Sequence, residues 1–493
     1  MHDWIDHRRA GVLLHIFSLP GPQPHGVLGE EARAFIHAIR EGGFSVWQFL
    51  PLGPTHGHGS PYESLSSFAG NADFLDLRDF VVGGWLTEAR YQAVVDGNLT
   101  PEAARAEAAQ AFWKQAQDDA ELQRSIDEFE AAHTGWLADY ALFTALRAAH
   151  DEQPWWEWDE PLRRREPAAL KSARQKHAVR IHQTRFEQWA FDRQWQALKA
   201  YAEVHDVLLF GDLPIYVAHD SADVWAQQHY FTVNDSGRCD EVAGVPPDYF
   251  SETGQRWGNP LYRWETLQND GFDWWIRRIE VQLERMHLLR IDHFRGLEAY
   301  WAIPGEREDG MVGEWRSAPG VALLQALDDR LGKLPLVAED LGLITEEVHA
   351  MRERFGLPGM KILQFAFGGE ADNPYLPHNH EADSVVYTGT HDNDTALGWF
   401  HDTPEETRKH LCHYLGSALD DMPWPLIRTA LASVARLAVV PMQDVLSLGG
   451  DARLNQPGTL EGNWEWRLDA DQLTPDIWKQ TRQLNDLYDR SNL

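Results

Sequence analysis

The sequence predicts an α/β protein, a single (β/α)8 TIM barrel over residues 1–493. The barrel carries a mainly helical insertion at 86–202 and a rim insertion with an active-site loop at 218–275. Three observations predict this. Short apolar runs alternate with helical patterns until eight are counted, the mark of a closed parallel sheet. The runs are apolar at consecutive positions, as strands buried on both faces must be. Several runs end on a carboxylate, and in a barrel the strand carboxyl ends converge on the rim where the chemistry sits.

The first strand is Gly11-Val12-Leu13-Leu14-His15. Arg8-Arg9 ahead of it gives a superficial likeness to a secretory leader, but the apolar run breaks at His15 and no small-residue cleavage site follows. A helical stretch around 30–40 separates it from the second strand at 46–50. The Gly- and Pro-rich stretch from Pro51 to Ser60-Pro61-Tyr62 is then a binding loop beyond a strand end. His56 and His58 in that loop have no third ligand nearby, so no metal is expected there.

From 86 to 202 the pattern is helical and polar, too long for one barrel crossover. Thr100-Pro101-Glu102 is a helix start, with a capping hydroxyl, a first-turn proline and a first-turn acid. Leu122, Ile126 and Phe129 keep helical spacing, as do Phe191, Trp195, Leu198 and Ala202, and Trp136, Tyr140 and Phe143 read as packing. Trp155-Trp156-Glu157-Trp158-Asp159-Glu160, with Arg163-Arg164-Arg165 after it, reads as an exposed connection with a solvated charged face.

The third strand, 207–210, leads into Gly211-Asp212-Leu213-Pro214. Residues 245–260, from Val245-Pro246-Pro247-Asp248-Tyr249-Phe250 to Trp257-Gly258-Asn259-Pro260, lack periodicity and are rich in turn formers, which predicts a long functional loop. Further strands fall at 288–293, 336–340, 360–365, 384–388 and 437–441, with helices such as 321–331 and 345–355 between them.

Composition narrows the function. A net charge of −32, from 76 acids against 44 bases, argues against nucleic acid and anionic membranes as partners and suits a neutral substrate. Cys239 and Cys412 are too few for a disulfide framework, so a reducing, cytoplasmic setting is expected. No run approaches the ~18 apolar residues of a membrane helix. Phosphate-cradling glycine motifs are absent, and no cofactor is expected. Tryptophan is abundant, 22 residues against 13 tyrosines, and indole faces stack well on sugar rings while most such side chains simply fill cores.

The chemistry lies in three segments, Arg290-Ile291-Asp292-His293, Ala338-Glu339-Asp340 and Thr390-His391-Asp392-Asn393-Asp394. Acids on one rim are what glycosidic cleavage needs: one carboxylate to attack or stabilise the sugar cation, and one protonated acid for the leaving oxygen. Arg290 beside Asp292 favours an ionised nucleophile. Glu339 on a buried strand is placed to stay protonated, while Asp340, one step along, points to the opposite face.

These segments resemble the amylomaltase family, the 4-α-glucanotransferases of glycoside hydrolase family 77. The likeness runs from Gly11-Val12-Leu13-Leu14-His15 through Gly211–Val217, 245–260 and the three acid segments to Asn455-Gln456-Pro457-Gly458 and Gly462-Asn463-Trp464-Glu465-Trp466-Arg467. It implies maltooligosaccharides and α-1,4-glucans as substrates and a retaining double displacement without cofactor. In that scheme Asp292 is the nucleophile, Glu339 the general acid/base and Asp392 the third carboxylate, holding sugar hydroxyls. Arg290, His391, Tyr62 and Asp212 would surround the reacting sugar, Trp257 would line the acceptor side, and Asn259 and Asn463 would bind substrate. One tract departs: Gly57-His58-Gly59 stands where the family commonly has Tyr-Gly-Asp, so the accessory glucan contact of that loop is not carried over. The alternative is an amylase-type α-glucan hydrolase on the same barrel; the 245–260 segment, as a place for an acceptor sugar, favours transfer. Nothing in the sequence specifies an oligomeric state.

Overall fold

A computed structural model describes residues 7–247, 251–459 and 461–491. Twelve strands are present among the described residues: β1 (Arg9–Leu13), β2 (Val46–Gln48), β3 (Leu208–Pro214), β4 (Glu241–Val245), β5 (Gln255–Pro260), β6 (Leu288–Asp292), β7 (Ala299–Pro304), β8 (Glu314–Ser317), β9 (Leu336–Ala338), β10 (Gly359–Ile362), β11 (Ser384–Tyr387) and β12 (Leu437–Pro441). Eight form one parallel sheet in the order β10-β11-β12-β1-β2-β3-β6-β9. Its two ends meet: the Ala338 N–H donates to the Pro358 carbonyl at 2.9 Å, and the Asp340 carboxylate accepts the Met360 N–H at 2.7 Å. The result is the (β/α)8 barrel.

The apolar runs divide by parity, as a pleated strand requires. Leu13, Val46, Phe210, Leu288, Val337, Met360, Val385 and Val439 form one buried cluster, while Val12, Trp47, Leu209, Leu289, Ala338, Val386 and Val440 belong to another, shared with the helices. Gly11 stands where a Cβ would lie 3.0 Å from that of Val46, so a larger residue would crowd this layer.

Between β2 and β3 the chain is helical, from Leu77–Val82 to the long helix Ala178–Val204. Thr100 caps its helix through the Ala103 N–H, with Pro101 in the first turn, as the sequence predicts. The Trp155 segment differs from expectation. Trp155 and Trp158 are fully buried: Trp155 Nε1 donates to the His219 carbonyl, and Trp158 packs edge-on to Trp225. Arg165 turns back over the Trp225 ring at 4.3 Å and pairs with Asp139. Pairing and stacking remove part of that charge run from solvent.

A second correction concerns 245–260. Residues 248–250 lie outside the described residues; β4 ends at Val245 and a turn over 251–254 leads into β5 at Gln255, so the stretch is loop in its first part and strand from 255 to 260. β4 and β5 pair antiparallel and join β7 and β8 in a four-stranded sheet, order β5-β4-β7-β8. The turn formers are accommodated by a register shift between Val242 and Gly244 and by Gly254 and Gly258 at positive φ.

Candidate active site

Register places the acids. β3 and β6 pair Asp212 with Arg290, and β6 and β9 pair Arg290 with Val337. Two residues further along each strand, on the same inward face, stand Asp292 and Glu339. The next step outward is Asp340, whose carboxylate bonds the Met360 N–H and lies 3.5 Å from Arg352, away from the cleft.

Arg290 is the hub. It is 5% exposed and donates to Asp212 Oδ2 at 2.6 Å and to Asp292 Oδ1 at 2.7 Å. Burial works against its charge, but the two carboxylates outweigh this and hold its pKa well above the ordinary value. Tyr62, brought in by the Gly/Pro-rich loop, donates its hydroxyl to Asp212 Oδ2 at 2.6 Å. Its ring stacks on His391 with centroids 5.1 Å apart. His391 Nε2 lies 3.3 Å from Asp392 Oδ1, and burial lowers its pKa, so it is neutral at pH 7.

Asp292 is 29% exposed at the side chain and Asp392 44%, so both open to the cleft. Glu339 is held by two backbone donors, the His293 N–H at 2.7 Å and the Leu341 N–H at 2.9 Å. His293 adopts φ 51°, which turns its N–H onto Glu339 immediately after Asp292. Burial raises the pKa of Asp292 and of Glu339, with Arg290 opposing it in both. Two such carboxyls beside one cation share a proton more readily than either would alone. Asp292 has the direct ion pair with Arg290 and Glu339 the two amide donors, and each of these favours the anion against burial.

The other expected residues separate by location. Trp257 on β5 stands edge-on to His293, ring centroids 4.8 Å apart, at the cleft's edge. Asn259 donates to the Val217 carbonyl at 2.8 Å and ties β5 to the chain after β3. Asn463 is spent on its own loop, bonding the Gln456 N–H and Thr459, and does not join the cluster. Its neighbour Trp464 does, with centroids 6.2 Å from Tyr62 and 6.1 Å from His391. Asn455 and Arg453 were not singled out, yet Asn455 donates to Asp392 Oδ1 at 2.6 Å and Arg453 to its carbonyl at 2.7 Å. The signal for Asn455 and Trp464 was present in the two C-terminal tracts. His58 of the departing loop sits 2.8 Å from Glu63 at the surface.

Among the described residues no helix is long and apolar enough to cross a membrane. The family model described as 4-alpha-glucanotransferase matches residues 14–473. The chain is 48% identical to the 4-alpha-glucanotransferase of Thermus thermophilus, covering 98% of this chain and 99% of that one. It is 45% identical to the enzyme of Synechocystis sp., over 99% of each. Among solved structures, the amylomaltase of Streptococcus agalactiae, in complex with acarbose, superposes with a TM-score of 0.94 at 35% identity, covering 98% of this chain and all of that one. Register, site and relatives agree: this chain belongs to the 4-alpha-glucanotransferases of glycoside hydrolase family 77.

Proposed function

We propose that the protein transfers a 1,4-α-glucan segment from a donor maltooligosaccharide to the 4-hydroxyl of an acceptor sugar by a retaining double displacement. Asp292 attacks the anomeric carbon while protonated Glu339 gives its proton to the departing oxygen, leaving a glycosyl ester on Asp292. Glu339, now a carboxylate, then takes the proton of the incoming hydroxyl, which displaces Asp292 with net retention. Asp392 binds hydroxyls of the reacting sugar, braced by Asn455 and Arg453. Arg290 keeps Asp292 ionised and fixes its angle, Tyr62 offers a ring to the sugar, and acarbose is expected to occupy the same cleft. The observation that carries the reading is the Asp212–Arg290–Asp292 bridge beside a Glu339 pinned by two amides.

Asp292→Asn keeps the shape and removes the nucleophile. Turnover of maltotriose should fall by at least ~10³-fold while oligosaccharide affinity changes far less. A near-normal rate in enzyme free of wild type would end the assignment. Trp257 at the cleft edge provides an acceptor platform that lets a sugar compete with water. Stacking worth roughly 0.5–1.5 kcal/mol corresponds to about a 2- to 13-fold change in partition. Trp257→Ala should therefore lower oligomer redistribution more than glucose release from one maltotriose sample; an unchanged ratio rejects the role.

A further inference from the structure

Behind the third carboxylate lies a buried acid that the cleft chemistry does not use. Asp444, 1% exposed, stands in the short helix Met442–Val445 directly after β12. Thr388 Oγ1 donates to its Oδ2 at 2.6 Å, and the Ala396 N–H donates to its Oδ1 at 2.7 Å. Thr388 is the residue after β11, and Ala396 opens the helix Ala396–Asp402. Between them runs the loop 389–395, which carries His391 and Asp392. One carboxylate therefore joins both ends of that loop, while Asp392 near its middle is 44% exposed at the side chain.

The loop's interior is tied together as well. Thr390 donates its N–H and its hydroxyl to Asn393 Oδ1 at 2.8 and 2.9 Å. Gln364 Nε2 donates to the Asp394 carbonyl at 2.8 Å, and Gly389 passes so near that a Cβ there would lie 2.5 Å from the same nitrogen. Arg453 and Asn455 hold Asp392 itself, and Asp444 holds the loop's ends. The helix does not need Asp444 as its cap, because the Gly398 N–H already donates to Thr395 Oγ1 at 3.0 Å. Burial raises the Asp444 pKa to about 6 against the pull of its two hydrogen bonds. A carboxyl raised in this way lends less stability as pH climbs from its ordinary value to about 6, so at pH 7 its ionised form works against folding. A buried ion of that kind, on donors that bracket a reactive side chain, serves geometry.

We propose that Asp444 is a positioning residue for glucan transfer: by holding Thr388 and Ala396 it sets Asp392 at the distance and angle from which it grips hydroxyls of the reacting sugar in the transition state. The proposal rests on the role given to Asp392 above, and it requires no contact between Asp444 and substrate. Misplacing a group that acts in the transition state by about 1 Å can lower turnover ~10²-fold. Loss of a bond made chiefly in the transition state appears in kcat rather than in KM. Asparagine at 444 keeps both contacts, with its oxygen on the Ala396 N–H and its NH2 on the Thr388 oxygen, since a hydroxyl both donates and accepts. Alanine keeps neither.

The test measures kcat and KM on maltotriose for the whole protein, at a temperature where each variant is shown to be folded. Asp444→Ala should lower kcat by about 10- to 100-fold with KM within about 3-fold of wild type. Asp444→Asn should recover the rate to within about 3-fold of wild type. In an Asp392→Asn background, Asp444→Ala should lower kcat by less than about 3-fold more, because residues that act through one group are not additive. An unchanged kcat in Asp444→Ala, equal losses in the alanine and asparagine variants, or the full loss repeated in the Asp392→Asn background overturns the proposal and leaves the role of Asp392 standing. No loss in Asp392→Asn alone removes that role, and the proposal with it. Should Asp444→Ala fail to fold, an unchanged kcat in Thr388→Val, which takes away one of the two donors, overturns the proposal by itself.

Discussion

At the scale of single residues the cleft is organised by one guanidinium. Arg290 lowers the pKa of Asp292 and of Glu339 against the raising effect of burial. In the proposed mechanism activity needs Asp292 ionised and Glu339 protonated, so the acid limb of kcat/KM would report Asp292 and the basic limb Glu339. Both limbs should lie above the ordinary carboxylate range. Removing the cation raises the Asp292 pKa further, so Arg290→Gln should move the acid limb to higher pH besides lowering the rate. A pH–rate profile of the folded variant checks this, and an unmoved acid limb refutes it. The carboxylates were legible because each ends an apolar run, and strand parity separates Glu339 from Asp340. Asn463 and Trp464 are neighbours in one motif and make different contacts. A motif names residue types, but which of two neighbours enters the cleft depends on backbone direction, and at φ 63° Trp464 is the one that turns inward.

At the scale of elements, the barrel seam is the thinnest joint. β9 and β10 meet through one backbone bond and the Asp340 carboxylate, which also faces the buried Arg352. Asp340→Ala leaves the Met360 N–H and Arg352 without that partner, and should cost roughly 2–4 kcal/mol of stability. Because Asp340 points away from the cleft, kcat at a temperature where the variant is folded should change little. Denaturant midpoints and initial rates measured together decide whether the residue serves the seam or the chemistry. The four-stranded sheet was illegible for a related reason. β4 finds its second partner in β7, more than fifty residues on, and no local pattern in a Gly- and Pro-rich stretch announces a distant partner. Likewise Trp155 and Trp158 are buried by contacts with His219 and Trp225, far along the chain.

At the scale of the whole molecule, Arg490 links the end of the chain to its beginning. Fully buried, it donates to the carbonyls of Arg9, Leu431, Ser433, Ala435 and Arg436, joining the C-terminal helix to β1 and to the turn before β12. Five carbonyls served by one planar fork cannot be served by an ammonium. Arg490→Lys should therefore be no better than Arg490→Met, each losing roughly 2–4 kcal/mol in denaturant unfolding, with the cleft's kinetics intact in the folded fraction. A lysine variant as stable as the wild type would show that charge alone suffices.

The long helix Ala178–Val204 carries a further consequence. Its 27 residues span roughly 40 Å, and the same rod packs in the insertion through Phe186 and Trp189 and under the barrel through Trp195, which bonds the Arg285 carbonyl. Gln188 and Gln194 each clasp the backbone of the preceding chain with a reciprocal pair of bonds, at Gly70 and Asp76. A hinge between insertion and barrel would have to break a continuous helix in its middle and undo both clasps. The insertion and the barrel therefore form one fixed frame, and any movement at the cleft would fall to the rim.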